Sequence, residues 1–254
     1  MESKLAAEKS KVVTDPYAYM YLFYGEKGIG KSTLASQMAD PYFLCTESAH
    51  RHLSIFKSDV TDWEEVQGIV REVCEGTRFR NLVFDVASGI HQILCKHLII
   101  EAQVKDINDG VLGYGKGYRE AKLTLRKMIN YIGGKGKGVI LLEHEMLKDS
   151  TFEGAGEYSR YFAAFTGSER AAIMPPVDIV GRLFPGKYTD GDEIKYGRFV
   201  SFQNTPEWEG TDKSNRLSGV DRIRMTSAEN CWKDIEKVFK ESEVKRGHGR
   251  ISSG

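Results

Sequence analysis

Eight consecutive residues, Gly25-Glu26-Lys27-Gly28-Ile29-Gly30-Lys31-Ser32, hold the densest chemical signal in the chain. They fit G-x-x-x-x-G-K-[ST]. In that pattern glycines let backbone N–H groups turn inward around phosphates, the lysine reaches the β and γ oxygens, and the hydroxyl can ligate magnesium. The spacing predicts a bound nucleoside triphosphate with Mg2+, contacted by residues 25–32 and by Thr33 just after them. A Gly-rich turn with an accidental lysine is the plainer reading. Magnesium in such a site also needs an acidic oxygen at the end of a neighbouring apolar strand. Leu82-Val83-Phe84-Asp85 supplies it, so Ser32 and Asp85 are the candidate metal ligands, with Asp178 as a competitor and helix capping as the plainer role for Asp85. Glu47 closes the run Phe43-Leu44-Cys45-Thr46-Glu47, where a carboxylate could orient or deprotonate an attacking water. His144, in Leu141-Leu142-Glu143-His144-Glu145, could hydrogen-bond the γ-phosphate and report its loss. On spacing alone, Glu47 could equally be a solvated loop residue and His144 a structural histidine.

These groups need strand ends to hold them. Residues 17–24 form a compact apolar and aromatic run that reads as a buried strand leading into the phosphate loop. A short helix from Ser32 to Ala39 follows, stopped by Asp40-Pro41 before a second strand, Tyr42 to Thr46. This order opens a βαβ unit. Thr61-Asp62-Trp63-Glu64 fits a capping box for a helix carrying Trp63, Val66, Val70 and Val73. A third strand spans Asn81 to Asp85, two amphipathic helices span 88–105 and 117–133, and a fourth strand spans Val139 to Leu142. Asn108 to Gly117 reads as an irregular connection, and Met146 to Met174 as a long mobile loop. Val177 to Phe184 and Arg198 to Gln203 read as strands, with Asp190-Gly191 turning an antiparallel hairpin between them. The expected division is an N-terminal extension over 1–16, a nucleotide-binding α/β core over 17–226, and a C-terminal helix with a basic, disordered tail over 227–254.

The 254 residues are 41% hydrophobic and 28% charged, as in an ordinary globular protein. Lys plus Arg and Asp plus Glu are both 36, so no global field marks a polyanionic partner and any nucleic-acid contact must come from a local patch. Cys45, Cys74, Cys95 and Cys231 are widely spaced in apolar surroundings and read as reduced structural thiols. The charged start, MESKLAAEKSK, lacks the apolar stretch of a signal peptide, and no run approaches a membrane span, so a cytoplasmic location is expected.

Taken together, the phosphate loop, FLCTE, LVFD and LLEH resemble the RecA-like ATPase core, and within it the short phage-encoded ATPases of single-strand annealing and recombination. The resemblance covers roughly residues 17 to 220. It implies a mostly parallel sheet flanked by helices with a C-terminal antiparallel hairpin, ATP as the nucleotide, Glu47 as general base and His144 as sensor. GYGKGYREAKLTLRKMI looks like the family's stretch after the Asp85 strand, and Glu209-Gly210-Thr211-Asp212-Lys213 like its acidic-basic motif. There the family commonly has arginine. Lys213 could still neutralise phosphate across a subunit boundary, without the bidentate geometry of a guanidinium. The resemblance further implies self-association into a ring or filament, single-stranded DNA as partner, and a phage single-strand-binding protein as a possible second one. On that reading Lys116, Arg119, Lys148, Arg160 and Arg170 meet phosphates, while Phe152 and Tyr161, with Tyr158, Phe162 and Phe165, stack on bases. An ordinary packed helix would explain the spacing of those aromatics as well. A P-loop kinase acting on a small acceptor, and an ATP-dependent scaffold with little hydrolysis, stay open as alternatives.

Overall fold

The apolar runs of the sequence become the centre of one mixed sheet in the computed structural model, which describes residues 13–47, 51–152 and 156–249. Among these residues the strands are β1 (Met20–Gly25), β2 (Pro41–Cys45), β3 (Phe56–Asp59), β4 (Asn81–Asp85), β5 (Gly138–Phe152), β6 (Gly156–Ala163), β7 (Ile179–Asp190), β8 (Glu193–Ser201), β9 (Thr211–Asp212) and β10 (Ile223–Met225). The helices are α1 (Lys31–Ser36), α2 (Trp63–Glu75), α3 (Ala87–Glu101), α4 (Lys116–Gly134), α5 (Gly167–Ile173) and α6 (Cys231–Gly249). The sheet order is β10-β8-β7-β1-β5-β4-β2-β3. From β7 to β3 all neighbours run parallel, whereas β8 and β10 are antiparallel additions. The expected α/β class and the hairpin turned at Asp190-Gly191 are both present, with Gly191 at a φ of +62°.

Every residue of β1 and β4 is buried, because helices cover both faces of the parallel part. Tyr21 and Phe23 point to the face of α1 and α6, where Leu34, Trp232, Ile235 and Phe239 meet them. Leu22 and Tyr24 point to the opposite face and pack with α2, α3, α4 and α5. The alternation is the period of two that a strand imposes. Helix α6 thus closes one face of the core rather than standing apart from it. Of the C-terminal tail, residues 250–254 lie outside the described residues, as do 1–12 of the N-terminal extension, and the helical backbone of α6 continues through Gly249.

Three expectations are corrected. Residues 146–174 are not a long loop: β5 continues past Leu142 and pairs antiparallel with β6, and α5 follows with Thr166 and Glu169 forming a full capping box. The cap of α2 sits one residue later than Thr61-x-x-Glu64, with the Asp62 side chain accepting from the Glu65 amide at 2.8 Å. Strand β3, which the reading lacked, adds an edge beside β2. The four cysteines are free thiols, and burial pushes Cys45 up to about 12. Among the described residues no helix is long and apolar enough to cross a membrane.

Candidate functional site

The phosphate loop leaves the carboxyl end of β1 and ends in the first turn of α1, where backbone N–H groups have no intrahelical acceptor and favour an anion. Two glycines are required on steric grounds. Gly30 has a φ of +109°, and a Cβ on Gly25 would collide with the carbonyl oxygen of Leu183 on β7. Lys31 folds back over the loop and donates to the Gly25 and Glu26 carbonyls, each at 2.9 Å. It is 6% exposed. Burial pulls its ammonium below the usual lysine value, an effect opposed by the negative charge of Asp85, Glu143, Glu145 and Glu47.

Sheet order decides what faces this loop. Strand β5 lies between β1 and β4, so Asp85 is separated from Gly25 by the middle of β5, with Leu142 beside Asp85 and His144 beside Gly25. Ser32 nevertheless reaches across and donates its hydroxyl to Asp85 at 2.6 Å. A hydroxyl and a carboxylate oxygen so close together, beside the phosphate loop, fit a magnesium ion that takes its remaining ligands from phosphate and water. Ser32 and Asp85 would hold it. The competitor Asp178 is placed at the other end of β1, accepting from the Met20 amide at 3.1 Å.

Glu47 follows β2 and His144 belongs to β5, and the two meet with Glu47 Oε1 and His144 Nε2 at 3.2 Å. Both line a cleft of about 380 Å³ together with Lys31, Ser32 and Asp85. Four residues named from spacing, Lys31, Glu47, Asp85 and His144, therefore converge on one edge of the sheet. Lys213 does not. It lies at the amino end of β1, with its amide donating to the Asp178 carbonyl at 3.0 Å and its ammonium 3.6 Å from the Asp178 carboxylate. Within its own chain it cannot reach the phosphates.

Of the residues expected to touch DNA, Lys148 and Arg160 are cross-strand partners on β5 and β6, Arg160 and Arg170 both lie over the Phe162 ring, and Lys116 and Arg119 belong to α4. Arg170 forms a bidentate ion pair with Glu209, and Arg160 donates to Asn204 and to the Trp208 carbonyl. Tyr161 lies under the Arg182 guanidinium, 3.7 Å from ring centroid to cation. Lys148 on β5, and Lys116 and Arg119 in the first turn of α4, are exposed. The side chain of Phe152 lies outside those described.

Three groups at the cleft were not found from sequence. Glu143 is 1% exposed and accepts from the Ser88 amide at 2.9 Å and from the His144 amide at 3.0 Å. It thereby ties the start of α3 to the middle of β5. Burial raises its carboxyl above the ordinary range, against those hydrogen bonds. A glutamate inside the apolar run LLEHE was the available signal. His52 and Arg198 also line the cleft. Arg198 carries no local motif; strand pairing brings it in.

No curated protein matches the chain. Residues 18–214, well over half of its length, match the family described as AAA domain, and the chain belongs to that family of P-loop ATPases.

Proposed function

We propose that this ATPase hydrolyses ATP at a subunit boundary and uses the nucleotide state to control single-stranded DNA binding, in the manner of the RecA-like ATPases of phage recombination and replication. The observation that carries the reading is the continuity of β5. The strand leaves the cleft at His144 and runs on as one arm of the β5–β6 hairpin. One residue beyond His144, Glu145 accepts from Arg182 at 2.9 Å, and Arg182 stacks on Tyr161 of β6. A shift of His144 on loss of the γ-phosphate has a rigid path to the hairpin.

In the hydrolytic step, water held by Glu47 attacks the γ-phosphorus, its proton passes to Glu47, and the bond to the β,γ-bridging oxygen breaks. Lys31 offsets the charge that develops on the phosphoryl oxygens. Mg2+, held through Ser32 and Asp85 when bound, adds further neutralisation. A neighbouring subunit in a ring or filament would bring Lys213 to the γ-phosphate from outside. The setting is the cytoplasm of a phage-infected cell, with a single-strand-binding protein as a candidate partner. Phosphate release with and without single-stranded DNA, joined to filter binding at low and raised salt, tests the proposal. DNA-stimulated release and ATP-sensitive binding are expected; no ATP-sensitive binding at either salt rejects the DNA part.

One observation favours a second reading, phosphoryl transfer to a small acceptor. A cavity of about 440 Å³ adjoins the cleft, shares Glu47 and His144 with it, and is walled by Thr46, Ser88, Gln92 and Lys96. Release of ADP only when a small hydroxyl compound is supplied would favour it.

A further inference from the structure

Arg198 stands on β8, far in sequence from every motif of the cleft, yet its guanidinium lies against the phosphate loop. Its Nη1 is 3.0 Å from where a Cβ on Gly30 would stand. Pairing fixes this placement: Arg198 sits opposite Pro185 of β7 and opposite Met225 of β10, and β7 in turn lies beside β1. The residue is exposed to the cleft, and among the described residues no carboxylate lies within ion-pair distance of it. Two other arginines of the core differ, since Arg182 is paired with Glu145 and Arg170 with Glu209. A guanidinium with five donors and, among the described residues, no acidic partner, held against the phosphate loop, is complementary to phosphate oxygens.

The sheet order says which phosphates. Glu47, Asp85 and His144 come from β2, β4 and β5, all on one side of β1, and they surround the end of the cleft where the γ-phosphate reacts. Arg198 arrives from β8, on the other side of β1. It meets the loop at Gly30, whose amide belongs to the part of the loop that cradles the α- and β-phosphates. We infer that Arg198 is a nucleotide-binding residue acting in its own chain, whose guanidinium grips the α,β-diphosphate portion and so holds ATP and ADP alike. The antiparallel hairpin β7–β8 becomes one wall of the nucleotide site. This rests on the nucleotide-binding reading of the cleft.

The test is calorimetric titration of Mg·ATP and Mg·ADP into the wild type, Arg198→Ala, Arg198→Gln and Arg198→Lys. The nucleotide-free thermal melt of each variant reports folding. Loss of a charge-assisted contact predicts weakening of both nucleotides by about tenfold to a hundredfold in the Ala and Gln variants. Lysine should recover part of it, because it keeps the charge and loses the fork. Weakening of ATP with ADP untouched would place Arg198 at the γ-phosphate and overturn the inference, as would unchanged affinity for both. A wild type that binds neither nucleotide would instead remove the reading on which the inference stands.

Discussion

Lys31 in the cleft and Arg182 beneath the β5–β6 hairpin are buried to nearly the same depth, 6% and 7% exposed, yet they meet opposite partners. Arg182 donates to the Glu145 carboxylate at 2.9 Å and lies on the face of Tyr161. Lys31 rests on two main-chain carbonyls, and among the described residues no carboxylate lies within ion-pair distance of it. A buried cation with its own carboxylate is neutralised within the fold and belongs to its architecture. One supported only by carbonyl dipoles keeps its charge for an incoming anion. The same division separates Arg170, closed by Glu209, from Arg198, which is open to the cleft. Residue type alone conceals it.

Breaking the paired cation should have the largest effect. Arg182→Met leaves the Glu145 side chain, only 9% exposed, without its counter-charge, and denaturant unfolding should show a loss of about 3–5 kcal/mol. Adding Glu145→Leu should recover most of that loss, since the charge that needed a partner is gone. A cost below about 1 kcal/mol for Arg182→Met alone would mean that the pair does not hold the hairpin to the core.

Lys31→Ala should do the reverse. The nucleotide-free melt should change little, because the ammonium is desolvated without an ionic partner. The ATP-induced stabilisation should vanish, a loss of about 2.7 kcal/mol at a hundredfold excess of ATP over the wild-type Kd. A melting shift with ATP as large as that of the wild type would contradict the assignment of the phosphate loop.

The same contrast explains what could be read without coordinates. The ends of β1 and β4 were legible because strands buried on both faces are written as unbroken apolar runs, and Asp85 interrupts one of them at its last residue. Glu47 and His144 were legible as polar residues at such ends. Their meeting was not, because it depends on β5 and β4 lying between β1 and β2. The hairpin was missed because its arms carry mixed polar and aromatic residues on both faces, while Tyr158, Tyr161, Phe162 and Phe165 fall by chance at helical intervals. The Thr166-x-x-Glu169 cap of α5 was a local signal within that stretch and pointed to structure there. Strand β3, four residues long with no buried side chain, gives no periodic signal. Arg198 and Lys213 show the limit most sharply: each was placed by long-range pairing, one into the cleft and the other away from it.

A smaller effect separates open from closed cations on the hairpin side. If single-stranded DNA runs along this surface, Lys148→Ala should lower the slope of log affinity against log salt by about 0.7, the value of one phosphate contact on a single strand. Arg170→Ala should leave that slope unchanged, since its charge is already closed by Glu209. Equal changes in both variants would erase the distinction.

The smallest expected effect lies at Glu143, a buried anion behind the cleft that accepts from two main-chain amides. Burial raises its carboxyl above the ordinary value of 4.5, so the folded chain keeps this proton to higher pH than the unfolded one. Between the two values the native state binds more protons, and linkage then requires stability to fall as pH rises. Its favourable contribution is complete below the ordinary carboxyl value and is lost as pH climbs through the raised one. Glu143→Gln keeps an acceptor oxygen for Ser88 and cannot titrate. Melting curves from pH 4 upward, a range set by that carboxyl value, should show the wild type losing stability relative to the Gln variant until the raised value is passed, and no further loss beyond it. A wild type that instead gains on the variant as pH rises would mean that the amides of Ser88 and His144 hold the carboxylate ionised, and that the negative charge facing Lys31 is permanent.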